Sequence, residues 1–163
     1  GNIPEIIYGI NGSLNWKNFD FSFLMQGAAH AQVYLKGGII LPYFNQGNLP
    51  QFWVNEAWTE ENPSNRYPRL AESVHNFPAT DVPGVQTYLY NASYLRLKNI
   101  EVGYTFPTSW LSRIGVTSAR VYVNAQNLFT ISDVPQIDPE NTEQEGWTYP
   151  QMKSFNFGLS LQF

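Results

Sequence analysis

Apolar and polar residues alternate along much of the chain with a period of two, and helical periodicity hardly occurs. Such alternation predicts β-strands that keep their apolar side chains on one face. The strongest example is a hairpin with strands at residues 6–16 and 19–29, joined through Lys17-Asn18. A two-residue loop fixes the register of this hairpin and puts facing apolar residues on the same side. The predicted pairs are Trp16 with Phe19, Leu14 with Phe21, and Ile10 with Met25.

Three further strands are predicted, at residues 93–106, 119–131 and 151–163. In the first of them the apolar positions change from odd to even numbers between Leu97 and Ile100. One extra residue would restore a single apolar face, so the sequence predicts a β-bulge around Lys98-Asn99. The last strand alternates without interruption as far as Phe163.

The connections between these strands differ in length at the two ends. Short links (17–18 and 107–118) lie at one end, and loops of about 30–92 and 132–150 lie at the other. Outer-membrane barrels combine short periplasmic turns with long extracellular loops. The strands also exceed the usual ~5–6 residues of globular sheets and are long enough to cross a membrane when tilted.

Aromatic residues gather near both ends of the predicted strands, as they do in the girdles at lipid interfaces. The short-link end has Trp16, Phe19, Phe106 and Phe163, and the other end has Tyr8, Phe129 and Phe155. The pattern predicts an all-β fold, a transmembrane antiparallel β-barrel with its C-terminus on the periplasmic side. A soluble β-sandwich, which also hides one face of each strand, is the alternative.

Composition agrees with this picture and narrows the chemistry. Charged residues make up 13% of the chain, whereas soluble domains carry roughly 25%. The net charge of −4 and the lack of a basic run argue against nucleic acid. Cysteine is absent, which excludes disulfides and thiolate metal sites. The chain contains no run of ~18 apolar residues, so the sequence predicts no transmembrane helix.

Five strands cannot close a membrane barrel, because an open edge in lipid leaves backbone groups without hydrogen bonds. We therefore expect further strands upstream, as another polypeptide or another part of the same one. The chain begins Gly1-Asn2-Ile3-Pro4, with neither Met nor a signal peptide. For an exported protein, this start is expected of a fragment or a processed piece.

Several short motifs occur in a fixed order along the chain. The C-terminal half contains YLRLKNI (94–100), GYTFP (103–107), RVYV (120–123), QNLFT (126–130) and DPE (138–140). The N-terminal half contains YG (8–9), KNFD (17–20), QG (26–27), WTEENP (58–63) and YPRL (67–70). With these motifs the chain resembles the SusC/RagA family of TonB-dependent outer-membrane transporters over essentially its whole length. The loop interiors at 31–52 and 71–90 are the least diagnostic parts.

The resemblance implies that residues 1–163 are the C-terminal segment of a TonB-dependent receptor and the last five strands of a 22-stranded barrel. It implies an outer-membrane protein of a Gram-negative bacterium, of the phylum Bacteroidota, that imports oligosaccharides, peptides or similar nutrients and is not an enzyme. The implied partners are lipid, the remaining strands and plug, the TonB–ExbB–ExbD complex and a SusD-like surface lipoprotein. The plug and the TonB box are absent from this sequence, so no residue here is assigned to them.

Two sets of residues are candidates for functional contacts. The apolar face of the last strand resembles the signal read by the barrel-assembly machinery, or it simply faces lipid. Its members are Phe155, Phe157, Leu159, Leu161 and Phe163. The first long loop carries aromatic and arginine side chains that could contact a ligand or a lid protein, or could pack the loop on itself. These residues are Trp53, Trp58, Arg66, Tyr67 and Arg69.

Other polar residues give weaker indications. The second long loop is acidic and could hold calcium, but its spacing is not that of a known calcium loop, so a solvated acidic loop is favoured. Its acidic residues are Asp133, Asp138, Glu140, Glu143 and Glu145. His30 and His75 are too isolated for a metal centre or a catalytic triad. On the polar face of the strands, Arg96, Lys98, Glu101 and Arg120 are expected to balance one another or to face the plug or solute.

Three functions remain open from the sequence. The first is solute import by a SusC-like transporter. The second is carbohydrate binding by a soluble β-sandwich through its loop aromatics. The third is a structural or adhesive outer-membrane barrel without TonB coupling. No catalytic residue, metal site or cofactor is predicted for any of them, and the transported substrate cannot be read from this segment.

Overall fold

A computed structural model describes residues 3–44, 47–63, 67–70, 88–112, 115–135, 137–141, 143 and 147–163. The chain forms two compact units. The sheet unit comprises Glu5–Ala29, Tyr94–Ser132 and Gln151–Phe163, and the loop unit comprises Gly1–Pro4, His30–Ser93 and Asp133–Pro150. The strands are β1 (Ile6–Trp16), β2 (Phe19–Ala29), β3 (Gln32–Tyr34), β4 (Leu89–Asn91), β5 (Tyr94–Thr105), β6 (Ser118–Gln126), β7 (Thr130–Ser132) and β8 (Ser154–Gln162). The helices are α1 (Gln51–Glu56), α2 (Thr108–Leu111) and a 3-10 turn at Gly37–Ile39.

The sheet unit is an antiparallel sheet in the order β1-β2-β5-β6-β8, with β7 beside β5. The predicted hairpin register is confirmed, because Trp16 pairs with Phe19, Leu14 with Phe21, and Ile10 with Met25. Lys17 has a φ of 55°, the left-handed conformation that the two-residue turn requires. The all-β class predicted from the alternation is therefore confirmed.

An irregularity crosses the sheet at Lys98. Leu24 pairs with Asn99 and Met25 with Leu97, so Lys98 is the extra residue of the predicted bulge. The prediction of a single strand at residues 119–131 is wrong, since this segment is divided into β6 and β7. The division lies beside the bulge. Asn127 takes a φ of 51° there, and its amide donates to the Lys98 carbonyl at 3.1 Å. Asparagine tolerates this left-handed conformation, so the chain can step past the bulge before pairing resumes.

The two faces of the sheet differ sharply in polarity. One face carries large apolar side chains that remain exposed, among them Phe157 at 80% and Leu14 at 63%. The opposite face carries mainly small, amide and charged side chains, with Leu24 and Tyr122 among them. A soluble sheet would bury such an apolar face, so the exposed face is the expected arrangement for a surface that meets lipid.

The loop unit has more order than the sequence predicted for residues 30–92. Strands β3 and β4 pair in a two-stranded sheet, and α1 begins after Pro50. Leu35 and Ile40 are 1% and 0% exposed, so the unit has a hydrophobic core of its own. The core residues are Ala31, Val33, Leu35, Ile40, Trp53, Ala57, Tyr67, Tyr88, Tyr90, Ala92 and Val134. This core was not predicted from the sequence, because its members come from distant positions without a periodic spacing and many turn-forming residues lie between them.

In the part of the chain that the structure describes, none of the helices has the length and apolar character needed to cross a membrane.

Candidate functional site

Two of the predicted contact residues lie inside the loop unit. Trp53 is 0% exposed, and its indole nitrogen donates to the Ile40 carbonyl at 2.6 Å. Tyr67 is 3% exposed, and its ring centroid lies 4.8 Å from that of Trp53. The Tyr67 hydroxyl forms a hydrogen bond with the Tyr90 hydroxyl. Their burial corresponds to the alternative in which the loop packs on itself. Trp53 is closed off from solvent in this structure, whereas Tyr67 also contributes to the lining of the pocket described below.

The remaining members of that set are exposed or undescribed. Trp58 is 41% exposed and Arg69 is also on the surface, so contact with a ligand or lid stays a prediction for both. Arg66 and His75 lie outside the described residues. Trp58 begins a turn that is closed by Thr59 and Asn62, whose amide nitrogens donate to each other's oxygens at 3.0 and 2.9 Å. These two hydrogen bonds close part of the WTEENP motif into a turn next to the exposed Trp58.

A pocket of about 440 Å³ opens on the surface of the loop unit beside this core. Phe52 and Glu56 line it from α1, and Tyr90 and Asn91 line it from β4. Tyr67, Asp133 and Pro135 complete the lining, and the Asn91 amide donates to the Asp133 carboxylate at 3.4 Å. Glu56, Asn91 and Asp133 are exposed, whereas Tyr90 is buried and forms part of the floor. The pocket therefore combines two carboxylates and an amide with aromatic walls.

This pocket was not predicted from the sequence. Asp133 stood out only as one member of an acidic loop, and Glu56, Asn91 and Tyr90 did not stand out at all. The lining residues come from four separate segments, so nothing in their spacing predicts that they meet. A weak signal exists in the Phe52–Glu56 spacing, since residues four apart lie on one side of a helix.

The second long loop uses its acidic groups mainly to hold its own backbone. The Asp138 carboxylate accepts from the Glu140 amide at 2.9 Å, and the Glu143 carboxylate accepts from the Trp147 amide at 2.8 Å. Asp133 belongs to the pocket described above. Across the described ranges, which omit Glu145, no group of three or more acidic or histidine residues is arranged to hold a metal ion.

A charged network occupies the polar face of the sheet unit. Arg120 on β6 donates through Nε to one Asp20 oxygen at 3.0 Å and through Nη2 to the other. The same Nη2 donates to Glu101 at 2.7 Å. Gly103 lies beneath this group, where a Cβ atom would meet the Arg120 and Asp20 side chains. The sequence predicted that Arg120 and Glu101 would balance each other, but it did not identify Asp20.

Amide side chains extend this network across three strands. The Asn124 amide donates to Asn99 at 3.0 Å and accepts from Asn156 at 3.4 Å. Arg96, farther along β5, is 2% exposed and donates to the Thr130 hydroxyl at 2.8 Å. The face thus presents fixed donors and acceptors, which suits a surface in contact with water, solute or another polar part of a protein.

Four of the candidate assembly residues lie on one face of β8, and Phe163 follows directly after the end of the strand. Phe155, Phe157 and Leu159 are 59%, 80% and 62% exposed. Leu161 and Phe163 are 44% and 86% exposed. Their exposure is compatible with both interpretations of this strand, a lipid-facing surface and an assembly signal, so the assembly role stays a prediction.

Burial also affects a tyrosine of the loop unit. Burial, together with the nearby Tyr34 and Tyr90 phenols, raises the pKa of Tyr88 to about 12 from 10.0. Tyr88 therefore stays neutral at physiological pH, as expected for a side chain in a hydrophobic core.

No family model matches the chain, but curated proteins do. A TonB-dependent receptor, P26, of Formosa agariphila is 33% identical over 175 residues, covering 99% of this chain and 17% of the relative. The TonB-dependent receptor SusC of Bacteroides thetaiotaomicron is 32% identical over 164 residues, covering 98% of this chain and 15% of the relative. The chain thus spans about a sixth of the length of the curated relatives it matches.

Solved structures show the same relationship. The RagAB peptide importer in its open-open state matches with a TM-score of 0.71 and 28% identity, covering 99% of this chain and 17% of that chain. Its closed-closed state gives the same TM-score, identity and coverage. Both the sheet unit and the loop unit therefore fall within the matched region.

Proposed function

Since the chain belongs to the SusC/RagA family of TonB-dependent outer-membrane receptors, we propose that it is part of a transporter that imports oligosaccharides, peptides or similar nutrients. The sheet unit forms barrel wall, with its apolar face toward lipid and its polar face toward the interior. The loop unit lies on the extracellular side, and the C-terminus lies on the periplasmic side. The proposal includes no catalytic activity and no cofactor.

One observation carries this proposal. The antiparallel sheet keeps its large apolar side chains exposed, and the chain that forms it matches a peptide importer over 99% of its length. An exposed apolar face of this kind suits a surface that meets lipid. The alternative of a soluble β-sandwich is disfavoured by the match of nearly the whole chain to outer-membrane receptors.

The proposed partners follow from the family and not from contacts in this chain. They are the rest of the barrel with its plug, the TonB–ExbB–ExbD complex acting through that plug, and a SusD-like lipoprotein as a lid. Support for the lipoprotein comes from the similarity to SusC and to the RagAB importer. A barrel without TonB coupling remains the second candidate, and uptake experiments separate the two.

The orientation can be tested by cysteine labelling, because the chain contributes no cysteine of its own. Glu61→Cys places a thiol in the loop unit, and Lys17→Cys places one in the two-residue turn; both side chains are exposed. In intact cells we expect a membrane-impermeant maleimide to label the loop variant alone. The turn variant should react only after the outer membrane is permeabilised. Labelling of both variants, or of the turn alone, in intact cells would contradict the orientation.

The transport role needs a separate measurement. Deleting the gene that contains this segment should abolish growth on one class of oligosaccharide or peptide, and deleting tonB should have the same effect. A strain that loses growth without the gene but not without tonB would point to the uncoupled barrel. Unchanged growth on every such nutrient would overturn the import function.

A further inference from the structure

Charge is divided unequally between the two units of the chain. The loop unit contains ten of the thirteen acidic residues and three of the nine basic residues, a net charge of −7. The sheet unit has a net charge of +3 on the same count. A strongly negative surface raises the local concentration of cations and lowers that of anions. It favours a cationic ligand without indicating where such a ligand would bind.

The pocket of the loop unit supplies a location. Glu56 and Asp133 are both exposed carboxylates in its wall, and its lining contains neither lysine nor arginine. Ionised carboxylates only accept hydrogen bonds, so a ligand that satisfies them must donate. Phe52, which is half-buried, adds aromatic surface next to these acceptors. An ammonium or guanidinium group gains from both features, through charge-assisted hydrogen bonds and through contact with aromatic rings.

Two other ligand classes fit this pocket less well. Calcium takes about six to eight oxygen ligands, and no group of three or more potential metal-binding side chains occurs in the described part of the chain. A sugar ring stacks on an open aromatic face, but two of the three aromatic residues that line the pocket, Tyr67 and Tyr90, are only 3% and 5% exposed. An organic cation needs only the two carboxylates and the apolar walls.

We propose that this pocket binds the cationic side chain or amino group of a peptide, and that it biases the transporter toward basic peptides. This proposal rests on the import function proposed above and names its substrate class. Glu56 and Asp133 receive the positive charge, Asn91 orients Asp133, and Phe52 contacts the aliphatic part of the ligand.

Binding of two model peptides to the purified intact receptor in detergent tests the proposal. The probes are a blocked tripeptide, acetyl-Gly-Lys-Gly-amide, and its norleucine analogue, which lacks the ammonium group. A charge-assisted hydrogen bond changes an affinity by about tenfold or more, so titration calorimetry should show the lysine peptide binding at least that much more tightly. Glu56→Gln and Asp133→Asn should each remove most of the difference. Both substitutions conserve size at exposed positions, so folding should be unaffected.

Glu60→Gln is the matched control. It removes the same charge from the same unit, but Glu60 is exposed and does not line the pocket. We expect this variant to retain the lysine preference. Equal affinities for the two probes, an equal loss in Glu60→Gln, or lysine binding only with added calcium would each overturn the proposal. Because binding is measured without transport, these results are independent of the uptake experiments that test the import function.

Discussion

Tyr122 on β6 lies directly over its cross-strand partner Gly158 on β8. A Cβ atom at Gly158 would overlap the phenol ring, so Gly158→Ala forces the ring to move. Overpacking of this kind costs about 1–3 kcal/mol, and we expect that loss in urea unfolding of the receptor in detergent. Gly9→Ala is the control, since a Cβ atom at Gly9 would make only an ordinary van der Waals contact, with the Met25 carbonyl oxygen at 3.6 Å. Equal effects of the two variants would contradict the close-packing argument.

Arg120 neutralises two carboxylates that come from different strands. Arg120→Gln leaves Asp20 and Glu101 close together without a cation, and we expect a loss of roughly 1–2 kcal/mol, given their partial exposure to solvent. The triple variant with Asp20→Asn and Glu101→Gln should recover most of this loss, because no uncompensated charge remains. Lys153→Gln, an exposed cation outside the network, should have little effect. Urea unfolding of the four proteins checks the prediction, and a triple variant no more stable than Arg120→Gln would count against it.

Trp53 and Trp58 should respond differently to substitution. Trp53→Ala removes a fully buried indole, so we expect the loop unit to lose about 3–5 kcal/mol. Trp53→Phe should cost about 1–3 kcal/mol, since the Ile40 carbonyl loses its donor. Trp58→Ala should leave stability nearly unchanged, and it should weaken binding of solute or lipoprotein if the contact prediction for Trp58 is right. Limited proteolysis of the loop unit measures the first two effects, and equilibrium binding measures the third.

Tyr88 makes the loop unit sensitive to alkaline pH. Its pKa is about 12 in the folded chain and 10.0 for an unperturbed tyrosine, so the unfolded state releases its proton first. The stabilisation from this group is complete below about pH 10 and is lost as the pH rises toward 12. Tyrosinate absorbance should show one late-titrating phenol that disappears in Tyr88→Phe. Stability of the variant should fall less steeply over that range, and an identical decline would contradict the assignment.

The two roles considered for β8 predict different results for Phe163→Asn. If the terminal residue is read by the assembly machinery, the amount of folded receptor in cells should fall, while refolding of the purified receptor into detergent should proceed normally. If Phe163 only faces lipid, both should decline together. Trp147→Asn changes an aromatic residue of the loop unit that is also highly exposed, at 81%, and should affect neither. Heat-modifiable migration on gels measures the folded fraction.

Local patterns were sufficient to predict most of the sheet. The Trp16–Phe19 register follows from a two-residue turn and a period of two, both of which can be read within a few residues. The bulge at Lys98 is visible as a change of phase. The left-handed conformation of Asn127 was not predicted. It accompanies the bulge at Lys98 on the neighbouring strand, and Asn127 and Lys98 come together only through pairing between strands.

The loop unit could not be predicted in the same way. Trp53, Tyr67 and Tyr90 meet through contacts between distant segments, and no periodic pattern links them. Exposure therefore could not be assigned to the loop aromatics, and Trp53 and Trp58 seemed equivalent in the sequence although one is buried and one is on the surface. The meeting of Glu56 and Asp133 in one pocket could not be predicted either, because they too come from distant segments.

The bulge at Lys98 and the break at Asn127 lie side by side on neighbouring strands, and a bulge bends its strand and increases the local twist. Together these two irregularities form a crease, a line across β5 and the β6–β7 junction at which the sheet bends. The stretch of β5 before the crease, with β7 beside it, must leave at a different angle from the straighter stretch that follows. The position along β5 at which the sheet changes direction is therefore set by one inserted residue, and deleting Lys98 would straighten the strand there.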